Sequence, residues 1–197
     1  MATTAAPYGL KPVNLIGGLP YAGSIRQFLI DPAGYGSNIF NGQVVTISAN
    51  GYIEIMTATG ADGTTNVFPA GTIGVFVGCE YTNAQGQRIW SQYYPSGTTG
   101  PVYAYVVDDD RVVFQAQCNG AITQSELGQN TFFAAAQSGS TGSTQTGNST
   151  SALSGTSQTG TAAFRIVGFA SPVGDAYTDV LVKFNPGYHS YSNATGI

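Results

Sequence analysis

Residues 103–117 read YAYVVDDDRVVFQAQ, and this stretch decides both the fold and whether the chain carries an acidic site. Asp108, Asp109 and Asp110 stand in a row in a chain of 197 residues of which only 8% are charged. The runs on either side, VYAYVV and VVFQAQC, are rich in β-branched and aromatic residues. The second run alternates, with Val112, Phe114, Ala116 and Cys118 on one side and Val113, Gln115 and Gln117 on the other. A calcium loop of the EF-hand kind draws its side-chain ligands largely from alternate residues. Three consecutive aspartates in extended chain point to alternate sides instead and cannot all converge. Aspartate accepts hydrogen bonds from nearby backbone amides, which suits a tight turn. Charge at a sheet rim also discourages edge-to-edge pairing. The aspartates are therefore expected at the tip of a β-hairpin rather than in a metal or acid/base site.

The same plan recurs outward from this stretch. Residues 44–56, VVTISANGYIEIM, place two strand-like runs around Asn50-Gly51, a dipeptide that tolerates positive φ. Residues 72–94, TIGVFVGCEYTNAQGQRIWSQYY, turn between Asn83 and Gly86, and residues 162–184, AAFRIVGFASPVGDAYTDVLVKF, turn at a Pro/Gly/Asp cluster. With runs such as SIRQFLI (24–30), nine or ten short strands are predicted. Only residues 123–136, TQSELGQNTFFAAA, offer a helical turn, capped by Thr123 or Ser125 and stopped at Gly128. Short strands at this turn density predict an all-β domain, a β-sandwich or a β-barrel.

Length and composition agree with one domain, which can bury roughly 70% of its unfolded surface without a metal or disulfide. Soluble proteins typically carry about 25% charged residues. The shortfall here is made up by uncharged polar residues and 27 glycines, a surface prone to association. A net charge of −4 with six Lys plus Arg argues against a nucleic-acid partner. The start, MATTAAPYGLKPVNLIGG, lacks the basic and apolar regions of a secretory signal. No apolar run approaches the roughly 18 residues of a membrane helix, so no membrane partner is expected. Cys79 and Cys118 fit no metal spacing and each ends an apolar run, so two buried thiols are expected rather than a bridge. The sequons at Asn148 and Asn193 are the kind that Ser/Thr-rich chains produce by chance.

Residues 137–162, QSGSTGSTQTGNSTSALSGTSQTGTA, form the one low-complexity segment, and no charge lies between Glu126 and Arg165. Such a composition buries too little apolar surface to offset its ordering entropy, so neighbouring subunits are expected to hold it. A loop packed on its own domain is the alternative.

Motifs for chemistry are sparse. A serine triad needs a histidine base, and the only His, His189, lies in a Tyr-rich tail with no Gly-x-Ser-x-Gly elbow elsewhere. No pair of carboxylates stands out for glycoside hydrolysis, and the single Trp90 is a thin sugar platform. PAGYGSN (32–38) lacks the third glycine and the helix of a dinucleotide loop. No enzymatic activity, cofactor or metal is expected.

Several segments taken together resemble a family of tailed-bacteriophage virion structural proteins, the head decoration or cement proteins. PYGLKPVNLIGGLPYAGSIRQFLI is similar to their opening, and YVVDDDRVVFQAQ to a recurrent strand-acid-strand element. SELGQN, TGNSTSAL, FRIVGF and DVLVKFNPGYH follow in the family's order, so the resemblance runs nearly from end to end. The chain departs from the pattern in the extra Ser/Thr/Gly run around TGNSTSAL.

The resemblance implies a β-rich protein, commonly a homo-trimer at local threefold positions, that clamps neighbouring major capsid protein subunits once the shell has expanded. It implies a place on the outer surface of the phage head, after assembly in the host cytoplasm. Residues 1–23 are then expected as an extended arm ahead of a β-rich domain over 24–197. Within it Pro7, Tyr8, Gly9, Leu10, Lys11, Pro12, Val13, Asn14, Leu15 and Ile16 are the expected capsid contacts, because Pro7, Gly9 and Pro12 disfavour helix and leave backbone free to add to a sheet edge. Deleting residues 2–16 is expected to abolish shell binding and leave the fold intact. The alternative for this segment is a strand of the domain's own sheet. The rival functions are a head-fibre or adhesin-like module, suggested by twelve tyrosines suited to glycan stacking, and a virion depolymerase.

Overall fold

The computed structural model describes residues 4–57 and 68–196 and is all-β. Thirteen strands are described: β1 (Lys11–Leu15), β2 (Arg26–Ile30), β3 (Ile39–Phe40), β4 (Val44–Ile47), β5 (Ile53–Ile55), β6 (Thr72–Thr82), β7 (Arg88–Ser91), β8 (Tyr93–Tyr94), β9 (Val102–Val107), β10 (Val112–Gln117), β11 (Asn130–Thr131), β12 (Phe164–Phe169) and β13 (Asp179–Phe184). Barrel and layered packing are both present. Strands β4-β5-β2-β9-β6 form a ring that closes when β4 pairs with β6, and β7 continues outside it. Strands β1-β10-β13-β12-β11 form an open antiparallel sheet.

Two cores follow from this arrangement. Ile30, Val45, Ile53, Phe76, Val102, Ala104 and Val106 fill the barrel, joined by Ile39 and Tyr94 from the small β3–β8 pair. Val44, Val75 and Val107 point out of the barrel and meet Phe114, Phe164, Val180, Val182 and Phe184 of the open sheet. The first part of β6 reads as a continuous apolar run because it is the wall between these cores, buried on both faces. Its register shifts opposite β4 and again between Phe76 and Gly78, and these bulges reset which side chains face inward. Gly74, at φ 148°, lies so near β9 that a Cβ there would stand 2.0 Å from the Val107 carbonyl oxygen.

The hairpins expected over 44–56, 72–94 and 162–184 are present. In the first, Gly51 carries the positive φ and donates its amide to the Ser48 carbonyl at 2.8 Å. The predicted helical turn is the 3-10 segment Gln124–Glu126, whose Glu126 carboxylate accepts the Thr123 amide at 2.6 Å.

The aspartate stretch needs correction, because β9 and β10 do not pair. Strand β9 lies between β2 and β6 in the barrel, whereas β10 lies between β1 and β13 in the open sheet. Residues 108–111 are a corner carrying the chain between layers. Val107 and Val112, on either side of it, are both buried in the core between the layers, which sets the strands across that core rather than side by side. The turn chemistry is as expected: Asp109 Oδ1 accepts the Arg111 amide at 2.9 Å.

The polar segment 137–162 is corrected as well. It packs on its own chain, the alternative reading. Leu153 is fully buried in the core, and its amide donates to the Gln117 carbonyl at 3.0 Å. Ser149 and Ser151 are buried, with their hydroxyls 2.8 Å apart, and Asn130 and Gln158 exchange two backbone hydrogen bonds of 2.9 Å. Gly142 lies so close to the Phe40 ring that a Cβ would stand 2.1 Å from it. Backbone hydrogen bonds, close glycine contacts and one leucine anchor order the segment, and a count of apolar side chains sees only the last of these.

Candidate functional site

The expected contact segment divides into an anchor and an edge. Tyr8 donates its hydroxyl to Asp179 Oδ1 at 3.2 Å, and burial first, then Asp179, pushes the Tyr8 pKa up. Lys11 Nζ lies 5.3 Å from the Tyr8 ring centroid. Pro7 is half-buried. Gly9, at φ 76°, donates to the Ser151 carbonyl at 3.1 Å, and a Cβ on it would stand 2.5 Å from the Gly42 carbonyl oxygen. Leu10 is buried in the core between the layers. Lys11, Pro12, Val13, Asn14 and Leu15 form β1, paired with β10, and the Ile16 amide donates to the Arg111 carbonyl at 2.9 Å. The expectation of a free arm over residues 1–23 is therefore corrected for the described part: β1 completes the domain's own sheet. Leu10 has a place in the core, and taking it there brings the next residues alongside β10.

The far side of β1 is another matter. It ends the open sheet, and the return of the chain from Gly18 to Pro20 covers part of it: the Leu15 amide donates to the Leu19 carbonyl at 2.8 Å, the Gly18 amide donates to the Leu15 carbonyl at 2.9 Å, and Asn14 bridges to Pro20. Val13, Ile16 and Leu19 are 45%, 47% and 62% exposed. Beside them a depression of about 150 Å³ is lined by Asn14, Leu15, Ile16, Gly18, Val113, Val167 and Leu181. Asn14 Oδ1 is buried here and accepts no hydrogen bond among the described residues. Sequence reasoning missed Leu19 and the lining from β10, β12 and β13. One signal was available: Val113 interrupts the polar side of β10, which Gln115 and Gln117 otherwise hold.

The aspartate corner is a clasp. Asp108 is buried, ion-paired with Arg26, and accepts the Tyr191 hydroxyl at 2.9 Å. The Arg26 guanidinium lies 5.2 Å from the Phe28 ring and 5.4 Å from the Tyr191 ring. His189 is buried below, its Nδ1 accepting the Tyr191 amide at 3.2 Å and its ring 5.5 Å from Phe184. Burial holds its pKa below the ordinary histidine value against the pull of Asp110, Asp108 and Asp109. A neutral imidazole wedged between aromatic rings serves packing. The clasp ties the barrel, the corner and the C-terminal tail together. Among the described residues, no group of three or more His, Cys, Asp or Glu is placed to hold a metal ion.

Cys79 and Cys118 are free and buried in different cores. Burial pushes both thiols up to about 12, which keeps them protonated and unreactive. Among the described residues, no helix is long and apolar enough to cross a membrane. Comparison with known proteins finds no matching family model, curated protein or solved structure.

Proposed function

We propose that the chain is a virion structural protein of the capsid-decoration class, which binds across major capsid protein subunits on the outer surface of the expanded phage head and assembles there as a trimer. The observation that supports this best is the outer edge of β1. It combines, at the end strand of the open sheet, three exposed apolar side chains with a depression holding a buried side-chain carbonyl that accepts no hydrogen bond among the described residues. An incoming segment could seat an apolar side chain in the depression, between Ile16 and Leu181. The contact is the rim of a folded sheet rather than a loose arm, so binding orders little chain and carries a small entropic cost.

A shell filled with DNA is under outward pressure, and added interfaces across its seams raise the free energy needed to open them. Stable protein interfaces bury about 1,600 Å² in total, and repetition around a symmetric shell multiplies modest contacts. A surface with 8% charged residues suits contacts that do not depend on ion pairs.

The test is co-sedimentation with mature, expanded shells stripped of this protein, with immature shells as control. Saturable binding to expanded shells alone, at a fixed ratio to capsid subunits, is expected. Absence of binding to either shell overturns the reading. A head-fibre or adhesin-like role is the second reading, favoured by one observation, the exposed aromatic face around Trp90.

A further inference from the structure

On the outside of the barrel, Leu29, Tyr103, Glu80 and Trp90 stand opposite one another across four adjacent strands, in the pairs Leu29–Tyr103, Tyr103–Glu80 and Glu80–Trp90. Residues paired in this way share one face of a sheet, with Cβ atoms about 5 Å apart. The face is the outer one, since Val102, Ala104 and Val106, which alternate with Tyr103 and Tyr105, fill the interior. Trp90 is 62% exposed and Tyr103 41%. The indole nevertheless has a seat: a Cβ on Gly78 would stand 2.9 Å from Trp90 Cζ2 and 3.3 Å from Cε2. A side chain at residue 78 would lift the ring, whereas glycine lets it lie against the strand.

Polar groups across the same face are linked to one another. Gln27 Nε2 donates to the Tyr105 hydroxyl at 3.0 Å, which donates to Glu80 Oε2 at 2.7 Å, and Arg88 pairs with Glu80 Oε1. Next to this network lies a depression of about 440 Å³ lined by Glu80, Tyr81, Thr82, Arg88, Pro101 and Tyr103. Trp90 does not line it, so the depression flanks the indole rather than enclosing it.

The chemistry of this face selects its ligand. Glu80 and Arg88 are paired with each other, so neither stands as an unpaired charge to select a phosphate or an ammonium group. An exposed indole and a tyrosine ring offer flat apolar surface, and the linked carboxylate, guanidinium and amide offer both acceptors and donors. A sugar ring has the matching character, with an apolar C–H face and a rim of hydroxyls that donate and accept. We propose that this face binds a neutral saccharide, one ring stacked on Trp90 with its hydroxyls hydrogen-bonded to Glu80 and Arg88. The site uses no residue of β1, so it stands or falls independently of the capsid reading.

Trp90 is the only tryptophan in the chain, so its fluorescence reports on the site directly. The full chain is first screened on a broad array of neutral glycans, with sulfated glycans and proline-rich peptides as competitors. Hits are titrated by fluorescence and calorimetry. The expected result is saturable binding to a subset of neutral glycans with a shift in Trp90 emission. Binding should weaken at least tenfold in Glu80→Gln, vanish in Trp90→Ala and recover in part in Trp90→Phe, with circular dichroism showing each variant folded. Should Trp90→Ala fail to fold, Tyr103→Ala must weaken binding in its place. No neutral glycan bound across the array, binding unaffected by these variants, or binding confined to sulfated glycans or peptides would each overturn the proposal.

Discussion

The barrel and the open sheet deal with their strand edges in opposite ways. In the barrel, β4 returns to β6, so each strand of the ring has two neighbours, and only β7 runs on beyond it. The open sheet keeps two edges. Its β11 edge is met by the polar segment, where Gln158 bridges to Asn130. Its β1 edge is met, among the described residues, by the chain's turn back from Gly18 to Pro20, and carries apolar side chains into solvent. Unpaired edges invite pairing with other chains, and proteins commonly cover or charge them. The Ser/Thr/Gly-rich segment is thus part of the sheet's cover at one edge, and the chain's own tight turn covers part of the other.

This contrast can be broken experimentally, beginning with the largest effect. Phe164 sits between the layers with ring centroids 5.0 Å from Phe184, 5.2 Å from Phe133 and 5.8 Å from Phe68. Phe164→Ala is expected to cost about 3–5 kcal/mol in urea unfolding. Barrel and sheet should still unfold in one transition, because Val44, Val75 and Val107 of the barrel share that core; two separate transitions would show that the barrel stands alone. Next comes the anchor ahead of β1. Leu10→Ala should cost about 2–4 kcal/mol, and deletion of residues 2–16 should destabilise the whole domain rather than remove a dispensable arm, as circular dichroism melts would reveal.

A smaller effect follows from His189. Its pKa in the fold lies below the ordinary value of 6.5, so the unfolded chain binds the proton more readily. The stability due to neutral His189 is therefore complete above about pH 6.5 and is lost as pH falls toward the lower folded value, with a slope of at most about 1.4 kcal/mol per pH unit. His189→Gln should flatten this part of the stability profile. The smallest change in stability, within about 0.5 kcal/mol, is expected for Ile16→Asp combined with Leu19→Asp. This pair should nonetheless abolish co-sedimentation with expanded shells, and undiminished binding would move the capsid contact away from the β1 edge.

Much of the fold was legible in local pattern. The hairpins at Gly51 and Gly86 were readable because a glycine turn between β-rich runs leaves few alternatives. The helical turn near Gly128 was readable, whereas the choice of Thr123 over Ser125 as its cap came from the fold, where the Glu126 carboxylate takes the Thr123 amide. The site was less so. Residues 7–16 include part of the candidate edge, but Val13 and Ile16 differ from Leu10 only in whether the folded sheet covers them. Val167 and Leu181, which line the same depression, lie far along the chain. The seat of Trp90 on Gly78 depends on the register of β6 against β7, which no local pattern displays.

Alternation, turn residues and composition by themselves determined that this chain is all-β, that its strands are short, and where most of its turns fall, because these follow from backbone geometry within a few residues. Tertiary structure alone decided that Asp108 to Asp110 turn a corner between layers instead of closing a hairpin. It also decided that the polar segment folds onto its own domain and that β1 joins the sheet. Each of these outcomes depends on which distant residues share a core or a backbone hydrogen bond, and such pairings are set by the energy of the whole packed chain rather than by any stretch of it.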